Sequence, residues 1–180
     1  MKTCLLVIDY QNDFIDGALG FEGADRLATG IKKLIDSFHQ QGFDVIFTLD
    51  THTNEYLDTQ EGKNLPVKHC ILGTNGHQIY PLVNHVRGEH DVMFYKNTFG
   101  SLDLANFLHQ KDYHEIVIVG LVTNICVISN AVMAKAALPE AKIIIYKNLV
   151  ASFDEQLHEK TLEVMQSLQM DIQEYKLWKH

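Results

Sequence analysis

Two groups of residues in this chain have types and spacing suited to chemistry, provided that folding brings each group together. The first is Asp9, Lys96 and Cys126. A thiol attacks a carbonyl carbon only as the thiolate, so it needs a proton acceptor and benefits from a nearby positive charge. An aspartate can take the thiol proton and later return it to a departing amine, while a lysine ammonium holds the sulfur anion. The second group is Asp50, His52 and His69, with Glu61 between them in the chain. Two imidazoles and a carboxylate with open positions suit zinc, iron or manganese, and Glu61 would serve as a fourth ligand or stand beside the ligands. Cys70 adjoins His69 and is read as pointing away, and the other eight of the ten histidines have no metal spacing and read as surface residues. Taken singly, each residue has a plainer role: a small buried cysteine, an aspartate in a turn, a solvated lysine, a surface Asp-x-His pair. Their joint placement is what favours a site.

That placement follows from the elements around them. Residues 3–8, 44–49, 92–95, 116–119 and 142–146 are short apolar runs rich in Val, Ile, Phe and Tyr, and read as strands buried on both faces, with 171–175 a weaker sixth. Between them, Leu27, Ile31, Leu34, Ile35 and Phe38 mark one face of a helix over 25–41, closed by Gly42. Leu157, Val164, Met165 and Leu168 mark another over 154–169, and a third runs from about Thr123 to Ala137, ahead of Pro139. Strands alternating with helices imply an open parallel sheet with helices on both faces. In such a sheet all carboxyl ends share one edge, and ligands bind in the crevice outside it. Asp9, Asp50, Lys96 and Gly120 each fall at a strand end, and Cys126 follows Gly120 in the first turn of the third helix. There the helix N-terminus and Lys96 are expected to favour the thiolate. The backbone from Gly120 to Thr123 can offer N–H donors to an oxyanion. The long irregular stretch from Thr51 to about Gly76 is unusual in a compact domain unless it serves a site.

Composition bounds the alternatives. The 180 residues are 46% apolar and 21% charged, which suits one globular domain over 1–180 rather than a disordered or collagen-like chain. Fifteen Lys+Arg against 23 Asp+Glu give a formal charge of −8, a poor match to phosphate backbones or anionic lipid. No apolar run approaches the roughly 18 residues needed to span a bilayer, and nothing at the start reads as a secretory signal. Three cysteines, an odd number, read as free thiols in a reducing cytoplasm. Neither a nucleic-acid nor a membrane partner is therefore expected.

The segments LLVIDYQNDF (5–14), LDTH (49–52), LPVKHCILGT (65–74), FYKNTFGS (94–101) and GLVTNICV (120–127) resemble the isochorismatase-like cysteine hydrolase superfamily, and within it the nicotinamidase/pyrazinamidase group. The resemblance implies a three-layer αβα, Rossmann-like fold with a six-stranded parallel sheet and an Asp9–Lys96–Cys126 triad. It further implies a cis peptide between Leu121 and Val122, with the Val122 and Cys126 N–H groups forming the oxyanion hole. A divalent metal, zinc before iron or manganese, on Asp50, His52 and His69 would hold a substrate's pyridine nitrogen. Phe14 and Phe99 would wall the ring, with Leu121 also in the substrate-binding set. The reaction implied is hydrolysis of the carboxamide C–N bond of a small aromatic amide such as nicotinamide, releasing ammonia through a thioester. Family members also act on ureido or carbamoyl amides or on isochorismate, and a reading of another class is a non-catalytic thiol redox sensor or binding module. Members often form homo-oligomers, but no interface is legible here. One departure is the run Leu65-Pro66-Val67-Lys68-His69-Cys70, which stands where many nicotinamidases have Trp-Pro-x-His-Cys; the only tryptophan is Trp178.

Overall fold

Six parallel strands form the centre of the structure, a computed structural model that describes residues 2–176. Trp178 lies outside the described residues. The strands are β1 (Thr3–Ile8), β2 (Asp44–Asp50), β3 (Val92–Lys96), β4 (Glu115–Leu121), β5 (Lys142–Ala151) and β6 (Asp171–Gln173), in the order β3-β2-β1-β4-β5-β6. Successive side chains in a strand point to opposite faces. In β1, Leu5 and Val7 enter one apolar layer, while Cys4, Leu6 and Ile8 enter the other. The central strands are buried on both faces, as their unbroken apolar runs require. β3 and β6 are not, because they form the sheet edges: Tyr95 keeps 52% of its surface exposed, and β6 is half-buried along its length.

Helices cover both faces. On one lies α1 (Ala28–Gln40), whose Ile31, Leu34, Ile35 and Phe38 repeat at helical spacing and are buried. A 3-10 turn, Ala24–Leu27, leads into it, so the helix proper starts later than its pattern suggests. Two short helices follow, α2 (Gln60–Asn64) and α3 (Pro81–Asn84). The opposite face carries α4 (Leu102–Lys111), α5 (Ile128–Ala137) and α6 (Glu155–Ser167). The sequence reading did not anticipate α4, although its signals are present. Ser101 caps it by accepting the Leu104 N–H at 3.1 Å, and Leu104 and Leu108 share its buried side. Among the described residues, no helix is long and apolar enough to cross a membrane.

The chain runs outward from β1 through β2 to β3, then returns to β1's other side and runs outward again through β4, β5 and β6. The strand order therefore reverses between β1 and β4, the point at the carboxyl edge where open parallel sheets bind ligands. Close packing at this point requires Gly120, which pairs with Ile8 at a φ of 117°. A Cβ on it would lie 2.1 Å from the Ile8 carbonyl oxygen. The Leu121–Val122 peptide is cis, and the chain then makes a π-helical turn, Thr123–Val127, before α5.

Candidate active site and metal centre

Asp9 is the first residue past β1 and has a positive φ of 44°. Aspartate tolerates this left-handed geometry better than most residues, and the turn takes the side chain out of the strand's alternation. Its Oδ1 accepts a hydrogen bond from Thr48 Oγ1 at 2.6 Å. Its Oδ2 meets Lys96 Nζ as an ion pair at 2.5 Å. Lys96, the last residue of β3, also donates to the Thr98 carbonyl at 3.0 Å and to Cys126 Sγ at 3.6 Å. Residues 117 positions apart in the chain thus converge on one ammonium group.

All three side chains are buried, and Cys126 keeps only 5% of its surface exposed. Burial, and then the Asp9 carboxylate, push the Cys126 thiol well above its ordinary value, with Lys96 opposing them. Helix and lysine were expected to favour the thiolate, so the direction here is the reverse: desolvation and a facing carboxylate outweigh both. Burial also raises the Asp9 carboxyl, against the Lys96 charge, making it a stronger base than an exposed aspartate. Burial works against the Lys96 charge, but Asp9 and then Cys126 and Asp50 outweigh it and keep the ammonium protonated.

The second group forms beside the first. Asp50 and His52 stand two residues apart in extended chain, so their side chains leave on one face. His52 forms an isolated parallel bridge with Ile71, its N–H donating to the Cys70 carbonyl at 3.0 Å. This pairing brings His69 alongside. His52 Nε2 and His69 Nε2 lie 3.1 and 3.2 Å from Asp50 Oδ2, and each lies 3.8 Å from Glu61 Oε1. Metal–ligand bonds of about 2.0–2.2 Å in a tetrahedron put neighbouring donors about 3.3–3.6 Å apart, close to these separations. His69 Nδ1 bonds the Val67 carbonyl at 2.8 Å, which turns Nε2 towards Asp50 and the centre of the cluster. The donor set therefore fits a divalent metal, and among the described residues no other His/Cys/Asp/Glu group gathers in this way. Burial alone would raise Asp50, but hydrogen bonds with His52 and His69, then the Lys96 charge, hold its carboxyl well below the usual range. Asp50 Oδ1 lies 3.5 Å from Lys96 Nζ, so one carboxylate joins the two groups.

An open cleft of about 300 Å³ borders the metal-site group, lined by His52, Tyr56 and Glu61 and by Asn97 and Thr98, which follow Lys96 in the chain. The Phe14 ring lies 5.7 Å from that of His69, while Phe99 is 44% exposed just beyond Thr98. Leu121 is fully enclosed in the core layer under α1, and Val122 is buried at the start of the π-helical turn. Cys70 is fully buried and outside the ligand cluster. His77 departs from the surface reading: it is buried, bonded to Thr51 Oγ1 at 2.9 Å and stacked on Tyr95. His39 and His158 are half-buried, and His180 lies outside the described residues. Three supporting residues went unread in the sequence. Thr48 holds Asp9, Tyr56 packs its ring against both metal-site histidines, and Asn130 bonds the Phe99 and Cys126 carbonyls at 2.9 and 2.8 Å. Thr48 lies within the 44–49 run read as a strand, and nothing local marked the other two.

A buried thiol with a carboxylate base and an ammonium, beside a cation-binding cluster, equips the site to hydrolyse amide C–N bonds. Known proteins with similar sequences and folds point the same way. A protein called an uncharacterized isochorismatase family protein PncA, from Bacillus subtilis, is 31% identical over 169 residues, covering 88% of this chain and 91% of its own. A nicotinamidase/pyrazinamidase of Mycobacterium tuberculosis is 27% identical over 142 residues, covering 68% of this chain and 73% of its own. The crystal structure of a nicotinamidase/pyrazinamidase PncA from Bacillus subtilis superposes with a TM-score of 0.86 at 31% identity, over 97% of this chain and 100% of that one. The isochorismatase domain itself matches residues 3–174, nearly the whole length, and the chain belongs to that family.

Proposed function

We propose that the chain, acting as one domain over 1–180, is a metal-assisted cysteine amidohydrolase that cleaves the carboxamide C–N bond of a small aromatic amide such as nicotinamide. The observation that carries this reading is the approach of Asp9 Oδ2 and Cys126 Sγ to the same Lys96 Nζ, next to a cluster that shares Asp50. Relatives named as nicotinamidases support it.

In this scheme the Asp9 carboxylate, paired with Lys96, accepts the Cys126 proton as the sulfur bonds to the carboxamide carbon. Lys96 stabilises the charge passing between sulfur and carboxylate. The carbonyl electrons move onto oxygen, where the Val122 and Cys126 N–H groups face them at the start of the helix. Collapse breaks the C–N bond, and Asp9 gives its proton to the leaving nitrogen, which departs as ammonia. A water molecule then attacks the thioester and passes a proton to Asp9, the C–S bond breaks, and that proton returns to the sulfur. Asp50, His52 and His69, with Glu61, would hold a divalent ion, zinc, iron or manganese, which supplies a Lewis-acid anchor for a ring nitrogen. Phe14 and Phe99 would flank the ring, backed by Leu121. The three unpaired cysteines support a reducing, cytoplasmic setting.

The test is ammonia release from purified protein given nicotinamide, pyrazinamide, and carbamoyl and ureido compounds. Turnover on an aromatic amide is expected, with Cys126→Ala losing roughly 10⁴–10⁶-fold while still binding substrate. Ammonia release by that variant at the parent rate would rule out the covalent route.

A further inference from the structure

The turn that follows Asp9 also reaches the metal cluster, through two side chains that the mechanism does not use. Pairing of β1 with β2 ends at Ile8 and Thr48, with a last bond from Asp9 N–H to the Thr48 carbonyl at 3.1 Å. β2 continues to Asp50, which pairs with Lys96 on its other side. On the side that β1 has left, the Asp50 N–H and carbonyl are buried and lack a strand partner. Gln11, itself fully buried, fills that place. Its Oε1 accepts the Asp50 N–H at 2.8 Å, and its Nε2 donates to the Asp50 carbonyl at 2.9 Å and to the His77 carbonyl at 2.8 Å. The carboxamide stands in for the missing peptide and fixes the backbone from which the Asp50 carboxylate projects.

Asp13 does the corresponding work on the other ligand arm. Its Oδ2 accepts the Cys70 N–H at 2.7 Å, and its Oδ1 accepts the Ala18 N–H at 3.1 Å. Cys70 has a positive φ of 46° and sits between His69 and the bridge to His52. Its N–H belongs to the peptide that joins it to His69, so Asp13 sets where that ligand starts. The carboxylate nests against Gly76, where a Cβ would come 2.1 Å from Oδ2.

We infer that Gln11 and Asp13 are positioning residues of the metal centre, holding Asp50 and His69 in register through the backbone without touching a cation or substrate. The inference rests on the metal-site part of the proposed function and not on the hydrolysis itself. Hydrogen bonds outside the ligand shell typically change metal affinity about 10–100-fold, and an effect of that size is expected here. Gln11→Met keeps length and volume but makes none of the three bonds. Asp13→Asn keeps shape but leaves one of its two N–H partners without an acceptor.

The experiment uses chelator-stripped full-length protein. Zinc(II) and manganese(II) are titrated against a competing chelating dye, beside the melting temperature of the stripped protein and its rate of Cys126 alkylation by iodoacetamide. Both variants should bind metal about 10–100-fold more weakly while staying folded, with a lowered melting temperature from the stranded backbone groups, and alkylating like the parent. Parental affinity in folded variants overturns the inference, as does a parent protein that binds neither ion. Loss of folding in both variants, or alkylation falling in step with affinity, makes the residues merely structural and also overturns it. A parent that binds metal but releases no ammonia from any amide would overturn the hydrolase reading and leave this inference standing.

Discussion

At Cys126 four influences compete. The helix start and Lys96 favour the anion, while burial and Asp9 favour the neutral thiol and prevail. That direction fits the proposed route, in which Asp9 takes the thiol proton during attack. The signs can be separated by substitution. Asp9 raises the thiol's titration and Lys96 lowers it, so Asp9→Asn should shift the pH midpoint of iodoacetamide alkylation downward and Lys96→Met should shift it upward. The Asp9→Asn enzyme should nevertheless lose about 10²–10⁴-fold in turnover, because its base is gone. An unchanged or higher alkylation midpoint in Asp9→Asn would mean that the carboxylate does not face the sulfur.

Among the elements, the contact between β1 and β4 is the one that brings base and nucleophile together. Asp9 leaves β1 and Cys126 follows β4, and the two strands approach closely at Ile8 and Gly120. Gly120→Ala would force a side chain into a left-handed backbone, costing about 1–3 kcal/mol, and drive its methyl against the Ile8 carbonyl. Urea denaturation should show a loss of at least that size, with turnover falling as the strands part. Parental stability in Gly120→Ala would show that the strands need not approach so closely. The same element view explains α4 and the edge strands. Leu104 and Leu108 give only a short apolar stripe, weaker than that of α1. An edge strand has the same Val/Phe/Tyr composition as a central one, since composition does not record which neighbours a strand acquires.

For the whole molecule, ligands drawn from β2, α2 and the stretch after it tie the long segment between β2 and β3 to the sheet. A cation bound there would cross-link parts of the native fold that separate on unfolding, and would stabilise the protein by mass action. At a free metal concentration a hundredfold above the dissociation constant this is about 2.7 kcal/mol, or roughly 5–10 °C in melting temperature for a chain of this size. Stripping the metal should lower the melting temperature by that amount, and returning zinc, iron or manganese should restore it. Identical melting with and without added metal would count against the cluster as a metal centre.

The local pattern was enough to place the strands and the main amphipathic helices, because periodicity of apolar residues is a property of neighbours in the chain. It also put Asp9, Asp50, Lys96 and Cys126 at the ends of those elements, and parallel topology then placed them at one edge. Burial and partners are different in kind, since they depend on what other segments bring. The buried place of His77, the hold of Thr48 on Asp9, the Asn130 bonds and the Gln11 bridge to Asp50 each join segments remote in sequence. So does the rise in the Cys126 thiol, which comes from enclosure and from a carboxylate supplied by another strand. Only the packed chain determines those.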